Sequence, residues 1–204
     1  MGCCLSNEAY DAAVLAQTAQ PVAILDAKFA LPVAVTLHMK QKLWSWTGDD
    51  FTIKDPHTGV PYFKLKGKVL SLRSHKDLLD FEGHVVASME EAIFSWLGRQ
   101  MIYSSSKTKL CDVNVRFAMC QNVLECIAVD CATNTTRRFD VISDGIGRKT
   151  VITCDGVPVA KAYSPLNFVR DEYYIDIGVG VDIALIVLLC VALEDAIEKK
   201  NNNN

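Results

Sequence analysis

The chain has 204 residues, half of them apolar and 22% charged, which is enough for one domain with a well-filled core. Its 24 acids against 21 bases leave a net charge of −3, excluding disorder over most of its length and any general field for a polyanion. Direct nucleic-acid binding is therefore not expected, and any anion site must be local.

Residues 1–20, MGCCLSNEAYDAAVLAQTAQ, are Ala-rich, lack strand alternation and end at Pro21, so they read as a flexible arm with at most one helical turn. Met1-Gly2 with Ser6 fits the N-myristoylation pattern, and Cys3 and Cys4 follow directly as palmitoylation candidates. One myristoyl chain holds a membrane only marginally, so Gly2 needs the added acyl chains of Cys3 and Cys4 for lasting attachment. The expected location is the cytoplasmic face of the plasma membrane, with a cytosolic or nuclear pool when the anchor is incomplete.

From residue 21 onward, short runs rich in Val, Ile, Thr, Phe and Tyr alternate with turn residues every 8 to 15 positions or so, which is strand patterning. Turns are expected at Asp55–Gly59, Gly67, Glu82-Gly83, Thr133-Asn134, Asp144-Gly145 and Asp155-Gly156. Val33–Leu37, Val113–Phe117 and Thr150–Cys154 alternate as half-buried strands do. Met89–Gly98 mixes its signals and is compatible with a short helix.

The exception is the end of the chain. Ile183–Leu193 is apolar on every side for eleven residues, is preceded by Asp182 as a helix N-cap and is followed by Lys199-Lys200 to complement the dipole. A helix with no polar face needs apolar surroundings all round. Spanning a bilayer of about 30 Å takes roughly 20 apolar residues, whereas eleven reach only about 16 Å. The remaining environment is a sleeve of strands: a mainly β, closed antiparallel barrel with the C-terminal helix as its core. The barrel domain is expected over residues 21–198, and the low-complexity tail at 199–204 is expected to be disordered.

The eight cysteines include no C-x-x-C pair, and His38, His57, His75 and His84 form no ligand set, so no zinc site is read; the interior cysteines are expected to be small buried apolar residues. Neither G-x-S-x-G, H-E-x-x-H nor a P-loop is present, and no Ser-His-Asp spacing stands out, so no enzyme activity and no cofactor are expected. Gly178-Val179-Gly180 imitates half a dinucleotide fingerprint, but Ile183 occupies the third glycine position and too little chain follows.

Phe51–Gly59, followed by Phe63–Lys68 and Leu70–Arg73, resembles the LURP-one-related proteins, found largely in plants. Leu78-Leu79-Asp80, Glu82-Gly83 and the closing Gly180–Val187 resemble the same family in the same order. That resemblance extends over roughly residues 20–198. It implies kinship with Tubby C-terminal domains and phospholipid scramblases, and hence about twelve strands around the central helix. Members generally lack an assigned biochemical activity, so the resemblance informs the fold more than the function. In Tubby domains a basic pair at neighbouring same-face strand positions reads phosphoinositide phosphates, and Lys64 and Lys66 are similar in kind.

Lys64, Lys66 and Lys68 alternate with Phe63, Leu65 and Gly67, placing three ammonium groups on one strand face about 6.5 to 7 Å apart. Arg73 and Lys76 are nearby candidates for the same anionic ligand. Scramblases carry an acidic calcium-associated segment before the closing helix, but Asp171, Glu172, Asp176 and Asp182 lack calcium-loop spacing, so no metal is expected. The resulting expectation is a non-enzymatic, lipid-anchored module that binds anionic phospholipid headgroups as a tethered adaptor. Scramblase-like lipid translocation and membrane-tethered transcription regulation are the alternatives.

Overall fold

A computed structural model describes residues 7–18, 20–40, 51–67, 75–92, 99–118, 121–144, 148–165 and 172–202. These residues contain a short helix α1 (Asn7–Ala12), twelve strands and a long helix α2 (Ile183–Asn202). The strands are β1 (Val35–Lys40), β2 (Phe51–Lys54), β3 (Pro61–Gly67), β4 (His75–Asp80), β5 (Val85–Glu91) and β6 (Gln100–Ser104). They continue as β7 (Lys109–Ala118), β8 (Gln121–Val129), β9 (Thr136–Asp144), β10 (Lys149–Cys154), β11 (Val157–Tyr163) and β12 (Glu172–Ile177).

Each strand pairs antiparallel with its chain neighbours, and β1 pairs β12 from Val35↔Ile177 to Lys40↔Glu172, closing the sheet into a barrel. Closure removes exposed strand edges and leaves one continuous inner face. That face is lined by the alternating apolar residues, among them Leu37, Met39, Ile53, Phe63, Leu78, Ile102, Leu124 and Phe139. The described turns follow the expected chemistry: Asp55 Oδ1 accepts the N–H groups of His57 and Thr58, while Gly59, Gly83, Asn134, Asp155 and Gly156 take positive φ. Gly67, by contrast, is the last residue of β3, and Val33 lies before β1 and is 59% exposed. Met89–Glu91 belong to β5; residues 93–98 of the mixed-signal stretch lie outside the described residues.

α2 threads this sleeve. Every residue from Ile183 to Leu193 is 3% exposed or less, so the barrel wall supplies the all-round apolar surroundings. Among the described residues, no helix is long and apolar enough to cross a membrane. α2 does not fray at Glu198. It continues through Lys199 and Lys200 to Asn202, because Lys199 pairs with Glu91 at the end of β5 and Lys200 donates to Asn122 Oδ1 at 3.3 Å. These contacts mark one end of the barrel as the exit of the helix, the end at which β3 finishes and β4 begins.

The N-terminal arm also departs from expectation. Residues 7–18 are laid against the barrel, with Tyr10 buried, Ala16 N–H donating to Pro158 O at 3.0 Å and Thr18 N–H donating to Val179 O at 3.4 Å. Backbone hydrogen bonding needs no side-chain alternation, which is why the arm reads as loose. Its seat requires Gly178 and Gly180: a Cβ on the first would stand 2.8 Å from Ala16 O, and one on the second 2.5 Å from Thr18 Oγ1. The glycine pair that imitates a nucleotide fingerprint is thus a saddle for the arm.

Of the described cysteines, Cys111, Cys126, Cys154 and Cys190 are buried as expected, whereas Cys131 is exposed in the turn after β8. No disulfide joins any of these five cysteines.

Candidate functional site

β3 carries the basic pair. Its inward positions are Phe63 and Leu65, so Lys64 and Lys66 fall on the outer face, one half-buried and the other exposed. Lys64 lies between Thr52 of β2 and Leu79 of β4 in the ladder, and Lys66 lies opposite Asp77. Lys54, exposed on the same side of β2, adds a third ammonium that sequence reasoning missed. Its signal was the burial alternation of Phe51–Lys54 itself, which turns Thr52 and Lys54 outward.

Lys76 does not join them. The β3–β4 register pairs Lys76 with the inward position of Gly67, and the buried ammonium is held by both oxygens of Asp195 on α2. Lys76 is therefore a structural cation, and its assignment to a phospholipid site is corrected. Burial pushes the Asp195 carboxyl above the ordinary carboxylate range, with Lys76 pulling the other way. Lys68, Arg73, Gly2, Cys3 and Cys4 lie outside the described residues.

Beside Lys66, the outer face of β4 and β5 holds a polar cluster. Asp77 Oδ1 accepts from His75 Nε2 at 2.9 Å and from Ser88 Oγ at 2.6 Å, while His75 Nδ1 lies 3.1 Å from Glu90. Lys107 Nζ donates to Ser88 Oγ at 2.8 Å. Serine and histidine thus converge on one carboxylate instead of on each other, which is not the Ser–His arrangement of a catalytic triad. At the β4–β5 turn, Asp80, Glu82 and His84 bring ligand atoms within 4.8 Å of one another. The His84 imidazole Nδ1 stands 3.4 Å from each carboxylate, so the three side chains contact one another within the turn.

A second region forms where α1 meets the beginning of β10 and the end of β11. A cleft of about 780 Å³ opens there, lined by Arg148 and Lys149 and by their strand neighbours Tyr163 and Ser164. Asn7, Asp11 and Asp144 complete its polar lining. Tyr10 anchors the helix: Lys149 Nζ and Lys161 Nζ stand 4.8 and 4.3 Å from its ring centroid, and Lys161 Nζ also donates to Ala13 O at 3.1 Å. Desolvation, reinforced by Asp176, pushes the Tyr10 hydroxyl well above its ordinary range.

A closed antiparallel barrel of twelve strands filled by a C-terminal helix is a Tubby-like fold. The family model of the LURP-one-related proteins matches residues 35–195, and the chain belongs to that family. Among solved structures, the X-ray structure of an Arabidopsis thaliana protein is similar, with 22% identity and a TM-score of 0.62. The match covers 85% of this chain and 98% of that one, and at this identity it speaks to the fold alone. No curated protein matches the chain. The family match begins at the first residue of β1, so the docked arm and its cleft wall precede it.

Proposed function

We propose that the protein is a non-enzymatic, lipid-anchored module that binds anionic phospholipid headgroups, of the phosphoinositide type, through the outer face of β3, and so acts as a tethered adaptor at the cytoplasmic face of a membrane. The observation that carries this reading is the placement of Lys64 and Lys66 on one outer strand face with Lys54 on the neighbouring strand. Alternate positions about 7 Å apart let two ammoniums engage separate phosphate groups of one headgroup or of adjacent lipids. With α2 enclosed by the barrel, this mode of membrane contact is peripheral. Acyl chains on Gly2, Cys3 and Cys4 supply residence, and the lysines supply headgroup preference. Lysine in place of arginine gives charge without a bidentate fork, so discrimination among anionic lipids is modest.

The test uses an unacylated Gly2→Ala/Cys3→Ser/Cys4→Ser protein and phosphatidylcholine vesicles with and without phosphatidylinositol bisphosphate. Sedimentation with the bisphosphate vesicles is expected to fall several-fold on adding Lys64→Ala and Lys66→Ala; equal sedimentation would remove the strand site. In cells, Gly2→Ala alone is expected to abolish the peripheral membrane signal, and an unchanged distribution would remove the anchor.

A further inference from the structure

We infer that the cleft between α1 and the β10–β11 strands is a second binding site, specific for a phosphorylated polyol such as an inositol phosphate headgroup. This site rests on the proposed headgroup-binding reading but uses none of its residues.

Two cations and two carboxylates line the cleft together, and the proportion selects the ligand. Arg148 and Lys149 are adjacent at the beginning of β10. No described residue forms an ion pair with the Arg148 guanidinium, and its backbone N–H donates to Asp144 Oδ1 at 2.7 Å. Lys149 Nζ pairs with Asp11 Oδ1 at 3.5 Å and stands 4.8 Å from the Tyr10 ring centroid, contacts that leave an ammonium with three donors an N–H to offer a ligand. Ser164 N–H donates to Arg148 O at 2.9 Å, so the β10–β11 pairing continues one step beyond Lys149↔Tyr163 and sets these four residues side by side along the cleft.

A bare phosphate dianion would meet Asp11 and Asp144 as well as the cations, and half of the charged lining would repel it. A polyol phosphate uses both halves. Its phosphate oxygens accept from Arg148, which offers a bidentate fork, and from Lys149. Its ring hydroxyls donate to the carboxylates of Asp11 and Asp144, which keep lone pairs beyond their present contacts. A cleft of about 780 Å³ is far larger than one phosphate and falls within the usual range for small-ligand sites.

Position supports the same ligand. Asn7 borders the cleft and lies five residues after Gly2, so an acylated N-terminus would hold the site within about 18 Å of the bilayer anchor. The cleft also depends on the docked arm, since Asn7 and Asp11 form its outer wall. A headgroup held there binds residues on both sides and would fasten the arm to the barrel.

The experiment is isothermal titration of the unacylated full-length protein with inositol trisphosphate and, separately, with inorganic phosphate. Trisphosphate is expected to bind, and Arg148→Glu to weaken it at least about tenfold, as loss of a charged hydrogen bond requires. Among the described residues no hydrogen bond or ion pair joins Arg148 to the arm, and Arg148→Gln provides a milder second variant should reversal of charge impair folding. Lys64→Ala/Lys66→Ala is expected to leave this titration unchanged, separating the cleft from the strand face. Vesicles with and without phosphatidylinositol bisphosphate then identify the source. Weaker binding of Arg148→Glu to the bisphosphate vesicles supports a lipid headgroup, and a loss confined to the soluble ligand supports a free inositol phosphate. Binding of inorganic phosphate as tight as that of trisphosphate, or no effect of either Arg148 variant, overturns the proposal.

Discussion

Asp182 Oδ2 accepts the backbone N–H of Leu25 at 2.7 Å, tying the beginning of the core helix to a strap that precedes the first strand. The same oxygen accepts from Ile24 at 3.0 Å, and Oδ1 caps α2 through Ala184 and Leu185 at 3.1 and 3.0 Å. One fully buried carboxylate therefore satisfies four N–H donors from two segments.

Asp182→Ala leaves all four donors without a partner inside protein. A lost cap combined with orphaned buried N–H groups is expected to cost about 4 kcal/mol. For a domain of this size the melting temperature should fall by roughly 8–16 °C. Asp182→Asn keeps one acceptor for the cap but turns an NH2 group toward the donors of Ile24 and Leu25, so it should recover only part of the loss. Calorimetry of both variants checks the order.

Lys76 and Asp195 invite a double-mutant cycle. Lys76→Met strands the Asp195 carboxylate in the barrel and is expected to cost about 3–5 kcal/mol, whereas Lys76→Met with Asp195→Leu should recover most of it. Because burial raises the Asp195 pKa in the folded state, that state binds more protons than the unfolded chain between the two pKa values. Stability of the Lys76→Met variant should therefore rise as pH falls through the folded pKa toward the unfolded value of about 4, narrowing its deficit against wild type. Urea unfolding at several pH values reads both effects, and a constant deficit would mean that the pair is solvated.

Thiol labelling tests the sleeve. Cys190 lies fully buried in the middle of α2, and burial pushes its thiol up; burial also pushes the Cys154 thiol up to about 12. Cys131 is exposed. Among the described cysteines, iodoacetamide at mildly alkaline pH should modify Cys131 first, and Cys111, Cys126, Cys154 and Cys190 only when denaturant is added. Native-state labelling of Cys190 as fast as Cys131, read by mass spectrometry, would mean that the barrel does not enclose its helix.

The barrel and its core helix were legible because both are periodic. Period-two alternation marks each strand's inner face, and Ile183–Leu193 has no polar face at all. The site was legible only within one strand. Lys64 and Lys66 share a face whatever the register, but whether Lys76 joins them depends on how β4 pairs with β3, and Gly67↔Lys76 turns it inward. Register across a connection is not written in either strand alone. The cleft was hidden for a different reason. It joins Asn7 and Asp11 to Arg148 and Lys149, segments more than 130 positions apart in the chain and brought together by backbone hydrogen bonds and by Tyr10 lying against Lys149 and Lys161, contacts that follow no sequence period. Their one trace in the sequence is the Gly178 and Gly180 pair.

Gly180 tests whether the arm is seated as described. Its φ of +76° favours glycine, and a Cβ there would stand 2.5 Å from Thr18 Oγ1. Gly59 offers the control, because it has a similar φ of +74° with open space around its Cα. Gly59→Ala should therefore cost only the backbone strain, about 1 kcal/mol, and leave the arm in place. Gly180→Ala adds the collision, so it should be more destabilising and should also raise hydrogen exchange at the backbone amides of Ala16 and Thr18, which donate to Pro158 and Val179. Combining Gly180→Ala with Thr18→Ala removes the colliding oxygen. Stability should then return toward the Gly59→Ala level while the Thr18 side-chain hydrogen bonds to Val179 and Gly180 remain lost. Equal exchange at Ala16 and Thr18 in the Gly180→Ala and Gly59→Ala proteins would show that the arm does not rest on this glycine.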